Sequence, residues 1–146
     1  MNKINLLGKD LFELKEVCKS FNFPDFHGIQ LFKWFYKRLE YNFDKMSDIP
    51  NGLKKILEKN CRIKYLNIKH KFYSKEDDTI KFLLKTVDDK LIESVSMVDK
   101  GRHTVCISSQ IGCSVDCDFC ATAKMGIIRN LTSGEIIEQI IIVKME

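Results

Sequence analysis

The 146-residue sequence has no long apolar run. Its longest aliphatic stretch, "IIIV" at 140–143, falls far short of the ~20 residues that cross a bilayer. The opening "MNKINLLGKDLFEL" contains no apolar segment of secretory-leader length, and an acid stands at Asp10. These absences argue against a membrane partner and against export, so a cytoplasmic chain is expected. In that reducing compartment six cysteines are not a disulfide framework. They are buried small hydrophobes, metal ligands or reactive thiols. A second C-x₂-C knuckle is also missing, which argues against an ordinary zinc ribbon. Proline is scarce, and its two occurrences, Pro24 and Pro50, punctuate the approaches to helical segments.

The composition, 45% hydrophobic and 30% charged, is that of a folded chain. Its charge is asymmetric. Residues 1–72 carry 15 Lys/Arg against 8 Asp/Glu, whereas residues 73–146 carry 9 against 12. A basic front half suits a polyanionic partner such as nucleic acid. That front half reads as helical. Leu11, Leu14, Val17, Cys18 and Phe21 recur at helical spacing over 10–21, with Cys18 and Cys61 taken as core residues. A second helix is expected over 23–39 with an apolar stripe of Ile29, Phe32, Phe35 and Leu39, and a third over 52–60. Lys33, Lys37, Arg38, Lys54, Lys55, Lys59 and Arg62 decorate this unit as candidate RNA contacts, while Trp34 is expected to pack in the core.

The period then changes to two. "TIKFLLKTV" (79–87) and "KLIESVSMV" (90–98) alternate around "DD" as a hairpin, and "HTVCIS" (103–108) reads as a third strand. Glu93 shares its strand face with Leu91, Val95 and Met97. A carboxylate on a dry face is costly unless paired, which makes Glu93 a candidate acid/base group. The plainer alternative is a wet edge face. "LTSGEIIEQIIIVKME" (131–146) reads as a helix, with Thr132 and Glu135 at capping-box spacing and apolar residues around most of its girth. Strand, cysteine loop and helix together suggest the first β-α unit of an α/β barrel. The expected fold is therefore α/β: a basic helical accessory domain at 1–72, an adaptor hairpin at 73–100, and the start of a longer barrel core at 101–146. The alternative is a small α+β domain completed by the last helix.

The chemistry concentrates in "CSVDCDFC" (113–120), where Cys113, Cys117 and Cys120 form C-x₃-C-x₂-C. Zinc would want a fourth ligand, for which Cys106 or, less well, His103 is available. An iron–sulfur cubane held by three thiolates leaves one iron open for a substrate or cofactor. "RNL" at 129–131 reads as a turn leading into the last helix.

With Phe119 before the last cysteine, this loop resembles that of the radical S-adenosylmethionine (SAM) enzymes. The stretch "TVCISSQIGCSVDCDFCATAKMGIIRNLTSGEIIEQI" (104–140) is similar to the RlmN-type dual-specificity RNA methyltransferases. "FKWFYKR", "FDKMSDIP" and "DDTIKFLLKTVDDKLIESVSM" resemble their accessory and adaptor segments. Small departures from the family are Asp78, where glycine is usual, and Val98, where proline is common.

The resemblance implies methylation of carbon 2 of adenine in 23S rRNA and tRNA. A close relative acts on carbon 8 of the same base. It implies that Cys113, Cys117 and Cys120 ligate a 4Fe–4S cluster whose open iron takes SAM, cleaved to a 5′-deoxyadenosyl radical. It implies Glu93 as proton acceptor, and Cys106 as the thiol that resolves a methylcysteine–RNA adduct through a transient disulfide. An electron donor of flavodoxin type and a monomeric state are expected. The family's methyl-carrying cysteine lies far beyond position 146, so these residues alone are expected to be catalytically incomplete. The competing expectation is a small basic RNA-binding module with a structural zinc.

Overall fold

The computed structural model describes residues 3–115, 117, 118, 122, 124 and 126–146. The chain divides into two compact units, Met1–Lys64 and Tyr65–Glu146.

The first unit runs β1 (Ile4–Asn5), α1 (Leu11–Ser20), α2 (Phe26–Tyr36), a 3₁₀ turn (Phe43–Lys45), α3 (Asn51–Asn60) and β2 (Cys61–Arg62). The Asp10 side chain accepts from the Glu13 N–H at 2.8 Å, and the Glu13 carboxylate accepts from the Asp10 N–H at 2.9 Å. This reciprocal box satisfies two donors that the first turn leaves open. Leu14, Val17 and Cys18 of α1, Leu31 and Phe35 of α2, and Leu53 and Leu57 of α3 are all buried, and α1 packs on α2. Strands β1 and β2 pair in parallel, Ile4 against Cys61. Cys18 and Cys61 are core residues as expected, and burial pushes both thiols up to about 11.

Two expectations for α2 are corrected. It spans Phe26–Tyr36, and the chain turns at Leu39, which adopts φ 53°. Its buried face is His27, Gly28, Leu31 and Phe35, while Ile29 and Phe32 are only half-buried. Gly28 is the reason. A Cβ there would lie 2.5 Å from the Lys15 backbone nitrogen, so the bare glycine sets where α1 and α2 come closest. Trp34, expected in the core, is half-buried; its Nε1 donates to Asp48 Oδ1, and the Arg38 guanidinium lies 4.0 Å from its ring centre. Its neighbour Phe35 takes the dry position, because an indole N–H needs a partner and a phenyl ring does not. Lys33, Lys37, Arg38, Lys55 and Lys59 are exposed, and Lys54 and Arg62 half-buried.

The second unit contains β3 (Asn67–Tyr73), β4 (Ile80–Lys85), β5 (Leu91–Asp99), β6 (Arg102–Cys106), β7 (Gln110–Gly112), β8 (Ile127–Asn130) and α4 (Ser133–Met145). Strands β3 to β6 form one antiparallel sheet in sequence order, and β7 pairs with β8 in a separate antiparallel ribbon. Phe82, Leu84, Ile92, Ser94 and Ser96 face inward, and α4 lies against β5.

The expected segment limits change accordingly. Residues 67–73 pair with β4, so they belong with the sheet and not with the helical unit. Position 100 is a turn inside the β5–β6 hairpin, where Lys100 and Gly101 both have positive φ, so the sheet runs through the limit expected there. Among the described residues of this unit every strand pairing is antiparallel, and a hairpin rather than a simple loop separates β6 from α4. The architecture is mixed α/β. Among the described residues no helix is long and apolar enough to cross a membrane.

Candidate functional site

The cysteine loop begins where β7 meets β8. Ile111 pairs with Arg129 and Gly112 with Ile127, and the Cys113 N–H donates to the Gly126 carbonyl at 3.1 Å. Gly112 has φ 77°, and a Cβ on it would fall 1.8 Å from the Gly126 oxygen. Only a residue without a side chain lets these two backbones clasp. Cys113 follows at once, half-buried and free, and its Sγ accepts from the Val115 N–H at 3.4 Å. Cys117 is likewise half-buried and free. Cys120, the third expected ligand, lies outside the described residues. Two free thiols on one clasped loop, one already receiving a backbone donor, fit the soft-donor set and sulfur hydrogen bonding of an iron–sulfur site.

Glu93 and Cys106 sit elsewhere in this unit, on one face of the sheet. Directly paired residues of an antiparallel ladder point to the same side. The register gives a continuous row Phe72, Lys81, Val95, Cys106, and beside it a row His70, Leu83, Glu93. Glu93 and Cys106 are therefore diagonal neighbours, a relation that spans roughly 7–8 Å. The dry environment expected for Glu93 is corrected. Its face is the wetter one: the carboxylate is 54% exposed and pairs with Lys81 at 3.1 Å, and Cys106 is exposed too. The buried face is the one carrying Ile92, Ser94 and Ser96.

Those inward serines are tolerated because each has a partner. Gln139, fully buried on α4, accepts from Ser94 Oγ at 2.8 Å and from the Ser108 N–H at 2.8 Å, and donates to the Ser108 carbonyl at 2.9 Å. Ser108 Oγ in turn donates to the Glu93 carbonyl at 2.8 Å. The strand that carries Glu93 and the linker just after Cys106 are thus tied to one amide. His103, the weaker zinc candidate, is engaged with Ser96 through Nε2 at 2.7 Å. Glu138 accepts from the Tyr65 and Leu66 N–H groups at 2.8 and 3.1 Å.

Arg129, read from sequence as part of a turn, is a junction. Its guanidinium donates to both carboxylate oxygens of Asp88 at 3.0 and 2.8 Å and to both of Glu135 at 2.9 and 2.7 Å. It thereby joins the β4–β5 turn, the exit strand of the cysteine hairpin and the first turn of α4. Burial pushes the Glu135 carboxyl up, but Arg129 and Thr132 outweigh it and hold it below its ordinary value. Arg129 holds the Asp88 carboxyl well below the usual carboxylate range. The sequence signal for this junction was present in Glu135, Glu138 and Gln139. They stand at i, i+3 and i+4 on α4, so one helix face is polar, and that face is the buried one.

Comparison with known proteins bears on this arrangement. The Ribosomal RNA large subunit methyltransferase N-terminal domain family matches residues 4–63. A probable dual-specificity RNA methyltransferase RlmN of Clostridium novyi is 42% identical over 137 residues, covering 94% of this chain and 40% of that protein. Its counterpart in Clostridium botulinum strain Okra is 40% identical over 142 residues, covering 97% of this chain and 42% of that protein. The crystal structure of a radical SAM methyltransferase from Sphaerobacter thermophilus superposes with a TM-score of 0.87 at 37% identity, covering 95% of this chain and 41% of that one. The chain spans about two fifths of the length of these relatives.

Proposed function

We propose, on the footing that the chain corresponds to the N-terminal portion of the RlmN-type radical SAM RNA methyltransferases, that it serves an enzyme methylating carbon 2 of adenine in 23S rRNA and tRNA. Cys113, Cys117 and Cys120 would hold a 4Fe–4S cluster. Their three thiolates would leave one iron open to SAM. Bound there, the cluster and SAM would supply one-electron chemistry, with a flavodoxin-type protein as electron donor.

The chain's own residues do the rest of their share by proton and sulfur chemistry. Glu93, accessible on its sheet face, accepts a proton from the adenine adduct. Cys106, on the same face, attacks the sulfur of the family's methyl-carrying cysteine, which falls in the part of the relatives these residues do not span. A sulfur–sulfur bond forms, the sulfur–carbon bond breaks, and its electron pair stays on the methylene carbon, which takes up a proton. Methyl transfer is accordingly assigned to the complete enzyme, a cytoplasmic monomer. Within it the first unit's lysines bind RNA, and the residues from β6 through α4 begin the barrel.

The observation that carries this reading is the clasped loop at Gly112 and Gly126, with free, half-buried Cys113 and Cys117 and a backbone donor on Cys113 Sγ. The experiment is anaerobic reconstitution of the 146-residue chain with iron and sulfide. The wild type should bind about four irons and four sulfides per chain, with brown visible absorbance, and Cys117→Ala should lose most of both. A Cys117→Ala chain that kept the full absorbance would sink the assignment. One tightly bound zinc without sulfide would favour the RNA-binding module with a structural zinc, a reading that the methyltransferases named above do not support.

A further inference from the structure

The sheet face that carries Glu93 and Cys106 continues to the edge strand β3. There the Phe72 ring is 46% exposed, the His70 ring leans on it at 4.4 Å between centres, and Lys81 Nζ lies 5.1 Å from its centre. From 67 to 75 the chain carries Lys69, Lys71 and Lys75 and no acid. Lys71 lies on the opposite face, across from Phe82, and pairs with Glu146, while Lys69 and Lys75 are exposed. An accessible aromatic ring framed by cations is how proteins hold unpaired bases: the ring stacks and the cations track the phosphates. Phe72 heads the row that ends at Cys106, three strand spacings or about 14 Å away. That is too far for the base that receives the methyl group and suits a neighbour of it. A base that undergoes chemistry must leave its stack, and the flanking base then loses a stacking partner.

We propose that Phe72, framed by His70 and Lys81, stacks the base that flanks the target adenine in an unpaired RNA segment. This rests on the reading of Glu93 and Cys106 as the reaction face, but its test does not depend on the cluster. Binding of a fluorescein-labelled, unpaired RNA oligonucleotide with a central adenine is followed by anisotropy, using the 146-residue chain. Phe72→Ala should weaken binding about tenfold, within the usual range for one stacked base, and Phe72→Leu should weaken it as much. Phe72→Trp in a Trp34→Phe background should retain affinity, with its indole emission quenched on binding. Circular dichroism checks that each variant is folded.

Unchanged affinity in Phe72→Ala, full affinity in Phe72→Leu, an unquenched indole, or no binding by the wild type each overturns the proposal. So does a change in sedimentation without a change in RNA affinity, which would assign the face to a second copy of the chain. Loss of the cluster assignment with the Phe72 results intact would leave an RNA-binding face without methyl chemistry, so the two readings fail separately.

Discussion

Arg129→Ala lowers the stability of the second unit by about 3–5 kcal/mol, the range for removing one partner of a buried ion pair. The loss comes from what is left behind. The Glu135 side chain is 5% exposed, and its carboxylate also accepts from the Thr132 N–H and hydroxyl. Without the guanidinium it keeps these two weaker donors and is otherwise a buried charge without a countercharge. Arg129→Lys recovers only part of the loss, because a single ammonium cannot serve two carboxylates in bidentate fashion. Asp88→Asn costs less, about 1 kcal/mol or under, since that side chain is 46% exposed and its pairing is screened by water. Hydrogen exchange at the Tyr65 and Leu66 amides, which Glu138 holds, reports this unit separately from the first. Exchange in Arg129→Ala indistinguishable from wild type would show that the junction is ornamental.

The same junction sets an acid limit. Asp88 and Glu135 are both held below their ordinary values in the folded chain. Groups depressed by folding contribute stability above their unfolded values, about 3.9 for Asp and 4.3 for Glu, and lose it as pH falls through the folded values. The second unit should therefore weaken steadily below about pH 4. The acid limb of a stability–pH curve should be flatter in Arg129→Ala than in wild type.

Gly112→Ala opens the cysteine hairpin. A positive φ alone costs an alanine roughly 1–2 kcal/mol. Here the added carbon also meets the Gly126 oxygen at 1.8 Å, and that oxygen is backbone with no side-chain rotation to relieve it. Strands β7 and β8, at 3 and 4 residues, are too short to absorb the displacement elsewhere. The control is built in. Gly126 has φ 65°, and a Cβ added to it would meet nothing within 4 Å among the described residues, so Gly126→Ala carries only the conformational cost. Gly112→Ala should lose protection of the Cys113 N–H and most reconstituted iron, and Gly126→Ala should lose little of either. Equal behaviour of the two variants would show that conformation, not the clasp, is what matters.

Features set by neighbours in sequence were legible. The Thr132–Glu135 capping box and the β4–β5 hairpin follow from spacing and alternation, and the Asp10–Glu13 box, with the same spacing, could have been read the same way. Strand β3 was not picked out, because both its faces are largely exposed and the alternation in "NIKHKFY" rests on Ile68 and Phe72 alone, with His70 between them. Alternation placed Glu93 opposite Ser94 and Ser96 but could not say which side is dry. The serines go inward because Gln139 and His103, 45 and 7 residues away, satisfy them. The C-x₃-C-x₂-C spacing could be read directly. That Glu93 and Cys106 share a face could not, since it depends on the Val95–Cys106 register.

The tie between Gln139 and the sheet also has a consequence in time. The first unit has its last strand once Arg62 has left the ribosome. The second cannot satisfy Ser94 and the Ser108 backbone until Gln139 emerges. At roughly 5–20 residues per second of synthesis, the intervening residues take several seconds. Until Gln139 emerges the nascent sheet exposes Phe82, Leu84 and Ile92 together with an unpartnered Ser94, while the first unit already has all its strands. Of these two units the second is thus the one more in need of a chaperone while it is being made.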